Sequence, residues 1–189
     1  MKQNNLKRCD WCGSDPLYIK YHDDEWGVPE YKDRALFEML CLEGAQAGLS
    51  WITVLKKRAH YRKVFYRFNP QKIANMPDTE LEELLLDPGI IRNRLKVYGF
   101  RKNALAFLTN FDKRNSFSNF LWSFVDHQPI INSFKNMQEL PAKTDVSDKM
   151  SKALKKKGFT FVGSTICYAF MQAVGMVNDH LAYCEKASR

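Results

Sequence analysis

The sequence predicts an all-α protein folded as one compact domain, and three observations predict it. Apolar residues recur at helical spacing in segment after segment, and no stretch alternates with period two for long. Turn signals such as Asn69-Pro70 and Pro88-Gly89 cut the pattern into helix-length pieces. At 189 residues, with no Pro/Ser/Gly-rich linker, the chain suits a single core, so one domain over 1–189 is expected. Hydrophobic residues at 45% and aromatics at 13% exclude a disordered composition.

Taken in order, Asp33 opens the first clear helix as an N-cap, with Leu36, Met39, Leu40 and Ala47 repeating along one face. The next follows at once, with Trp51, Leu55, Val64, Phe65 and Phe68 inside, Lys56, Lys57, Arg58, Arg62 and Lys63 largely outside, and Asn69-Pro70 as its close. "PDTELEELLLDPG" reads as a short helix capped near Asp78 or Thr79. Further helices are expected around "KNALAFLTNF", "FSNFLWSFV", "SDKMSKALKKKG" and "GSTICYAFMQAVGMV", roughly eight in all by pattern. The last is apolar, but Ser164, Thr165, Gln172 and its glycines make it a buried core helix rather than a membrane span. No internal repeat interrupts the series.

Charge and cysteine usage narrow the partners. A formal net charge of +8, with a pI near 9.2, points to phosphates as the natural counterpart. The opening "MKQNNLKRCDW" has no apolar core, so no secretory signal is expected and a reducing, cytoplasmic setting is. Five cysteines is an odd number, which disfavours a disulfide scaffold and favours metal ligation or plain burial.

"LLLDPGIIRNRLKV" is the first stretch that suggests a function. A helix ends, Asp87-Pro88-Gly89 forces a turn, Ile90-Ile91 dips toward the core, and a helix begins at about Arg92. That is the layout of a helix-hairpin-helix near 79–100, in which glycine and the exposed amides of a helix start can meet a DNA phosphate. Gly89, Ile91, Arg92 and Arg94 are the expected DNA contacts, with Lys96 adding charge. An ordinary helical corner is the alternative.

Metal ligands form a second candidate. "NDHLAYCEK" places His180 and Cys184 on one face if the last helix continues, which is half of a tetrahedral zinc site. Cys9, Cys12 and His22 are the candidates for the other half, and spacing alone allows Cys9 with Cys12 or Cys9 with His22. Glu43 is the third candidate, because its register with Leu36, Met39, Leu40 and Ala47 turns it inward, where a carboxylate is costly without a partner. "EGAQAGLSW" follows directly, and Trp11, Tyr18, Tyr21 and Trp26 enlarge the aromatic supply for a pocket that takes a flat polar ligand.

"DPLYIKYHDDEWGVPE", "LFEMLCLEGAQAGLSWITVLKKR", "DPGIIRNRLKV", "WSFVDHQP" and "SKALKKKGFTFVGSTICYAFMQAVGMVNDH" together resemble the 3-methyladenine DNA glycosylase I family of bacterial alkylation repair, from about Cys9 to Cys184. The resemblance implies an α-helical member of the helix-hairpin-helix glycosylase superfamily whose chain termini are joined by one structural zinc, with Cys9, His22, His180 and Cys184 as ligands. It implies hydrolysis of the N-glycosidic bond of 3-methyladenine in double-stranded alkylated DNA; no lysine stands out as a Schiff-base nucleophile, so no lyase activity is expected, and a monomer suits an enzyme that scans DNA. Glu43 would be the catalytic and base-reading acid, Trp11, Tyr21 and Trp51 would line the pocket of the flipped base, and Gly48 and Leu49 would fill the gap in the duplex. The family lacks the aspartate that many such glycosylases place after the hairpin, so Asp112 and Asp126 receive no role. Cys12 departs from the family pattern and is not expected to bind metal.

Overall fold

The computed structural model describes residues 7–188. Among them the fold is carried by α1 (Pro16–Asp24), α2 (Asp33–Gln46), α3 (Trp51–Val64), α4 (Pro70–Ala74), α5 (Asp78–Leu84), α6 (Arg94–Asn110), α7 (Phe117–Trp122), α8 (Asp145–Lys156) and α9 (Ser164–Ala173). The all-helical expectation has one exception. Two short strands, β1 (Ile130–Ile131) and β2 (Val177–Asn178), pair in parallel with Ile130 opposite Val177. Two residues are too few to show a period in the sequence.

α2 is the central helix, buried at every residue from Leu36 to Ala45 and packed against α3, α6, α7 and α9. Enclosure on all sides puts two acids, Glu38 and Glu43, inside the protein. Glu38 is neutralised by Arg58 and Arg62, whose Nε atoms donate to its Oε1 at 2.8 and 2.9 Å. The cap position of α2 belongs to Lys32 rather than Asp33. Asp33 is instead the first helical residue, and its carboxylate accepts from the N–H groups of Phe117 and Ser118 at 3.3 and 2.7 Å, fastening the start of α7.

α3 stops at Val64, short of the expected Phe68. Tyr66, Arg67 and Phe68 take left-handed φ values of 51, 52 and 55°, and the Arg67 carbonyl accepts from Arg34 Nε at 2.6 Å. Each left-handed residue costs about 1 kcal/mol, offset by burial of Phe65 and Phe68 against Phe100 at ~2 kcal/mol each. Asn69-Pro70 therefore opens α4 instead of closing α3: Asn69 accepts the Lys72 N–H at 3.1 Å and Pro70 takes the first helical position.

Segment 85–93 joins α5 to α6, and α6 begins at Arg94, slightly later than expected, because Asn93 supplies the cap and accepts the Lys96 N–H at 3.1 Å. Gly89 is required by a close approach, since a Cβ there would lie 2.3 Å from Cδ2 of His60 on α3. The turn is held by its own hydrogen bonds. Asp87 accepts the Gly89 N–H at 2.7 Å and faces His60 Nε2 at 2.6 Å, while the Tyr61 hydroxyl accepts the Ile91 N–H at 2.9 Å.

α9 ends at Ala173, before the expected Val177. Gly175 leaves the helix at φ +70°, and a Cβ there would lie 2.3 Å from the Val28 carbonyl carbon. His180 and Cys184 thus sit beyond β2 in irregular turns, not on a helix face as expected. These turns meet the start of the described chain: the Glu185 N–H donates to the Lys7 carbonyl at 3.0 Å and the Leu181 N–H to Cys9 Sγ at 3.3 Å. No helix among the described residues is long and apolar enough to cross a membrane.

Candidate active site and metal cluster

Four helices, the 3-10 turns Asp10–Cys12 and Met137–Glu139 and residues beside them supply the walls of a cavity of about 190 Å³. Trp11 comes from the 3-10 turn Asp10–Cys12, Tyr18 and Tyr21 from α1, Glu43 and Gln46 from α2, Trp51 from the first position of α3, and Gln172 from α9. The aromatic residues form one assembly. Ring centroids lie 4.9 Å apart for Trp11 and Trp26, 6.4 Å for Trp11 and Tyr21, and 5.4 Å for Tyr21 and Trp51. The α2–α3 corner that sets Glu43 against Trp51 is clamped by Lys96, whose ammonium donates to the Ala45 and Ala47 carbonyls at 2.8 and 2.6 Å. Lys96 is buried, so it is a helix-end clamp and not the surface charge expected of it.

Glu43 is 4% exposed and makes no hydrogen bond or ion pair among the described residues. Burial pushes its carboxyl up to about 8, so it is mostly neutral at pH 7. Burial, then the Glu43 charge, raises the Tyr21 hydroxyl well above its ordinary value. Trp51 Nε1 is buried without a partner. A neutral acid, a free indole N–H and several π faces therefore meet in one slot, which suits a flat polar ligand and a cationic one best. A larger groove of about 840 Å³ lies at the other end of α2 and α3, lined by Lys32, Arg34, Arg62, Lys63 and Arg67, but its one acid, Glu38, is already bound.

Behind the aromatic wall lies a cluster of sulfur and nitrogen donors. Ligand atoms of Cys9, His22 and Cys184 lie within 4.8 Å of one another, all buried, and can hold a metal ion. The His180 ring stands 4.9 Å from that of His22. Both imidazoles are oriented by their Nδ1 atoms, which contact Asp23 Oδ1 and Asn178 Oδ1 at 2.8 Å each, and His22 Nε2 accepts the Cys9 N–H at 3.3 Å. The Arg8 guanidinium beside Asp23 holds that carboxylate down to about 2, so it faces His22 as a charged acceptor. Burial pushes the Cys9 thiol up to about 12. Cys12 is buried nearby but outside this cluster.

Comparison with known proteins agrees with the geometry. The model of the methyladenine glycosylase family matches residues 11–187. The chain is 55% identical over 179 residues to DNA-3-methyladenine glycosylase 1 of Escherichia coli, covering 95% of this chain and 96% of that protein. It belongs to the methyladenine glycosylase family. DNA-3-methyladenine glycosylase of Haemophilus influenzae is 52% identical over 94% of this chain and 96% of its own. A structure of 3-methyladenine DNA glycosylase I from Staphylococcus aureus, described as the structural basis of 3-methyladenine recognition, superposes with a TM-score of 0.91 at 36% identity, over 95% of this chain and 96% of that one.

In this methyladenine glycosylase the expected pocket residues Trp11, Tyr21, Glu43 and Trp51 come together, and Tyr18 and Trp26 join them. The residues expected at a duplex lie elsewhere. Gly48, at φ +79°, and Leu49, 41% exposed, form the tip of the α2–α3 turn. Arg92 is exposed at the α5–α6 turn, whereas Arg94 is engaged by Glu82 through both Nη atoms. The amides of Gly89 and Ile91, two of the expected DNA-contact residues, are taken by Asp87 and Tyr61. The first-turn amides of Arg94 and Leu95 are the α6 donors that the Asn93 cap leaves open. Asp112 and Asp126 are exposed and line no part of the cavity. Gln172 was missed by the sequence reading: it sits in an apolar run, and nothing in the helical spacing marks it as a cavity residue.

Proposed function

We propose that this chain is a DNA base-excision enzyme, a single domain over 1–189 that hydrolyses the N-glycosidic bond of 3-methyladenine in double-stranded alkylated DNA. It releases the free base and leaves an abasic site. The observation that carries this reading is the buried, unpartnered carboxyl of Glu43 inside an aromatic slot.

Methylation at N3 puts positive charge on the base, so the leaving group needs little help from a general acid, and selection becomes the main task. A damaged nucleotide unstacks at lowest cost. Trp51, Trp11 and Tyr21 then stack on the flipped base, and their π faces favour its charge. The Glu43 carboxyl, neutral in the empty cavity, is drawn to its ionised form by the cation and reads the base edge. Neutral adenine lacks both terms. Water attacks C1′ through an oxocarbenium-like state. Among the described residues no lysine lines the cavity, which supports hydrolysis without a Schiff base.

Duplex contact is assigned to the helix-hairpin-helix of α5 and α6, with Gly89, Ile91 and Arg92 at the turn and Arg94 released from Glu82 to phosphate. Leu49, apolar and exposed on a glycine turn, is assigned to the gap the flipped nucleotide leaves. The donor set of Cys9, His22, His180 and Cys184 fits one Zn²⁺, because Asp23 and Asn178 hold the Nδ1 atoms of the two imidazoles, so that each would bind through Nε2, and His22 Nε2 already lies 3.5 Å from Cys184 Sγ. Bound there, zinc would be a structural tie between the chain ends and would supply no step of the hydrolysis. A cytoplasmic monomer completes the reading.

Incubation with methylated DNA tests it. Free 3-methyladenine should appear, with little 7-methylguanine, and DNA binding should weaken with salt. Salt-sensitive binding without base release would make the chain a damage-recognition protein instead.

A further inference from the structure

A second polar group, carried by another helix than Glu43, lines the cavity. Gln172, on α9, donates from Nε2 to Asp179 Oδ2 at 2.8 Å. Asp179 is buried and fully engaged, since the Tyr168 hydroxyl donates to the same oxygen at 2.6 Å and Asn132 Nδ2 donates to Oδ1 at 2.7 Å. An amide side chain has a donor end and an acceptor end, whereas a carboxylate held by three donors only accepts. Turning the Gln172 amide over would set its carbonyl oxygen against a carboxylate oxygen and lose a charge-assisted hydrogen bond. Its nitrogen is therefore committed to Asp179. Oε1 has no hydrogen bond among the described residues and is what the amide has left to offer.

We propose that Gln172 is a specificity-determining residue, locked by Asp179 so that it presents an acceptor and no donor to the flipped base. Such an edge fits a purine bearing an exocyclic amine and repels one bearing a carbonyl at the same place. This deepens the base-excision reading and rests on it. Glu43 and the tryptophans separate a cationic base from a neutral one, but 3-methylguanine in DNA is also cationic, and charge alone does not reject it. The Asp179–Gln172 pair supplies the missing distinction, because the wrong base would leave buried polar groups facing each other unpaired. Asp179 acts only through Gln172 and is a positioning residue.

The test compares free 3-methyladenine with 3-methylhypoxanthine, which carries a carbonyl in place of the exocyclic amine, by quenching of tryptophan fluorescence. Wild-type protein should prefer the amine base. Gln172→Leu should reduce that preference about tenfold or more, with 3-methylhypoxanthine binding unchanged or improved. Asp179→Asn frees the amide to turn, since an asparagine N–H can donate to Gln172 Oε1, and should move the preference toward the carbonyl base. Thermal unfolding and bound metal are measured on each variant, so an equal loss for both bases in step with lost folding would mark a merely structural role and overturn the proposal. An unchanged preference in folded Gln172→Leu would also overturn it. If wild-type protein binds neither base, the base-excision reading beneath it fails, and that result is separable because it precedes any substitution.

Discussion

Glu43 couples the cavity to pH through its burial. An acid raised from the ordinary carboxylate range to about 8 holds its proton in the folded chain where the unfolded chain has lost it. The unfolded state then binds fewer protons between roughly pH 4.5 and 8, so the carboxyl destabilises the fold progressively as pH rises through that window, by ~5 kcal/mol in all. Glu43→Gln removes the titration, and its thermal midpoint should exceed that of wild type at pH 8 while matching it near pH 4.5. Equal midpoints at both pH values would show that Glu43 is not held neutral. The same carboxyl must ionise to attract a cation, so kcat/KM for base release should climb on an acid limb and level off above about pH 8.

At the scale of elements, the α5–α6 corner depends on a glycine for space rather than for its φ. Gly89→Ala would drive a methyl group into His60 and displace the turn that Asp87 and Tyr61 hold. Overpacking of this kind should cost about 1–3 kcal/mol and weaken DNA binding several-fold. Free 3-methyladenine binding should be untouched, since the cavity shares no lining residue with that turn; a parallel loss of both would argue against the hairpin as the duplex contact. The apolar spacing of Leu36, Met39 and Leu40 made α2 and the burial of Glu43 legible in the sequence, though not the enclosure that buries Glu38 as well. Three other features were not. The left-handed turn at Tyr66–Phe68 has no glycine to announce it, and is held by the tertiary burial of Phe65 and Phe68. Lys96 read as surface charge because its partners, the Ala45 and Ala47 carbonyls, lie on another helix. Gln172 draws its orientation from Asp179 across a helix end that the apolar run concealed.

Across the whole molecule, the ends of the described chain close on each other beside the pocket. Trp26 packs on His180 with centroids 4.5 Å apart and Trp11 on His22 at 5.3 Å, so the candidate metal ligands and the aromatic wall share a surface. Spacing alone made Cys9 a candidate ligand, but the choice of His22 over Cys12 as its companion came only from the family resemblance, because Cys12 lies nearer in sequence than either other member of the cluster. Cys9→Ser should lower bound zinc and the thermal midpoint, while Cys12→Ser should leave bound zinc unchanged; metal analysis of the two purified variants separates them, and equal zinc loss would return Cys12 to the ligand set. The central claim, that a buried carboxyl in an aromatic slot selects and releases a cationic base, is tested most directly by release of 3-methyladenine from methylated DNA by wild type and Glu43→Gln, both shown to be folded and metal-loaded. The account predicts rapid release by the wild type and loss of most of it, about 10²-fold, in the variant; release by Glu43→Gln at the wild-type rate would contradict it.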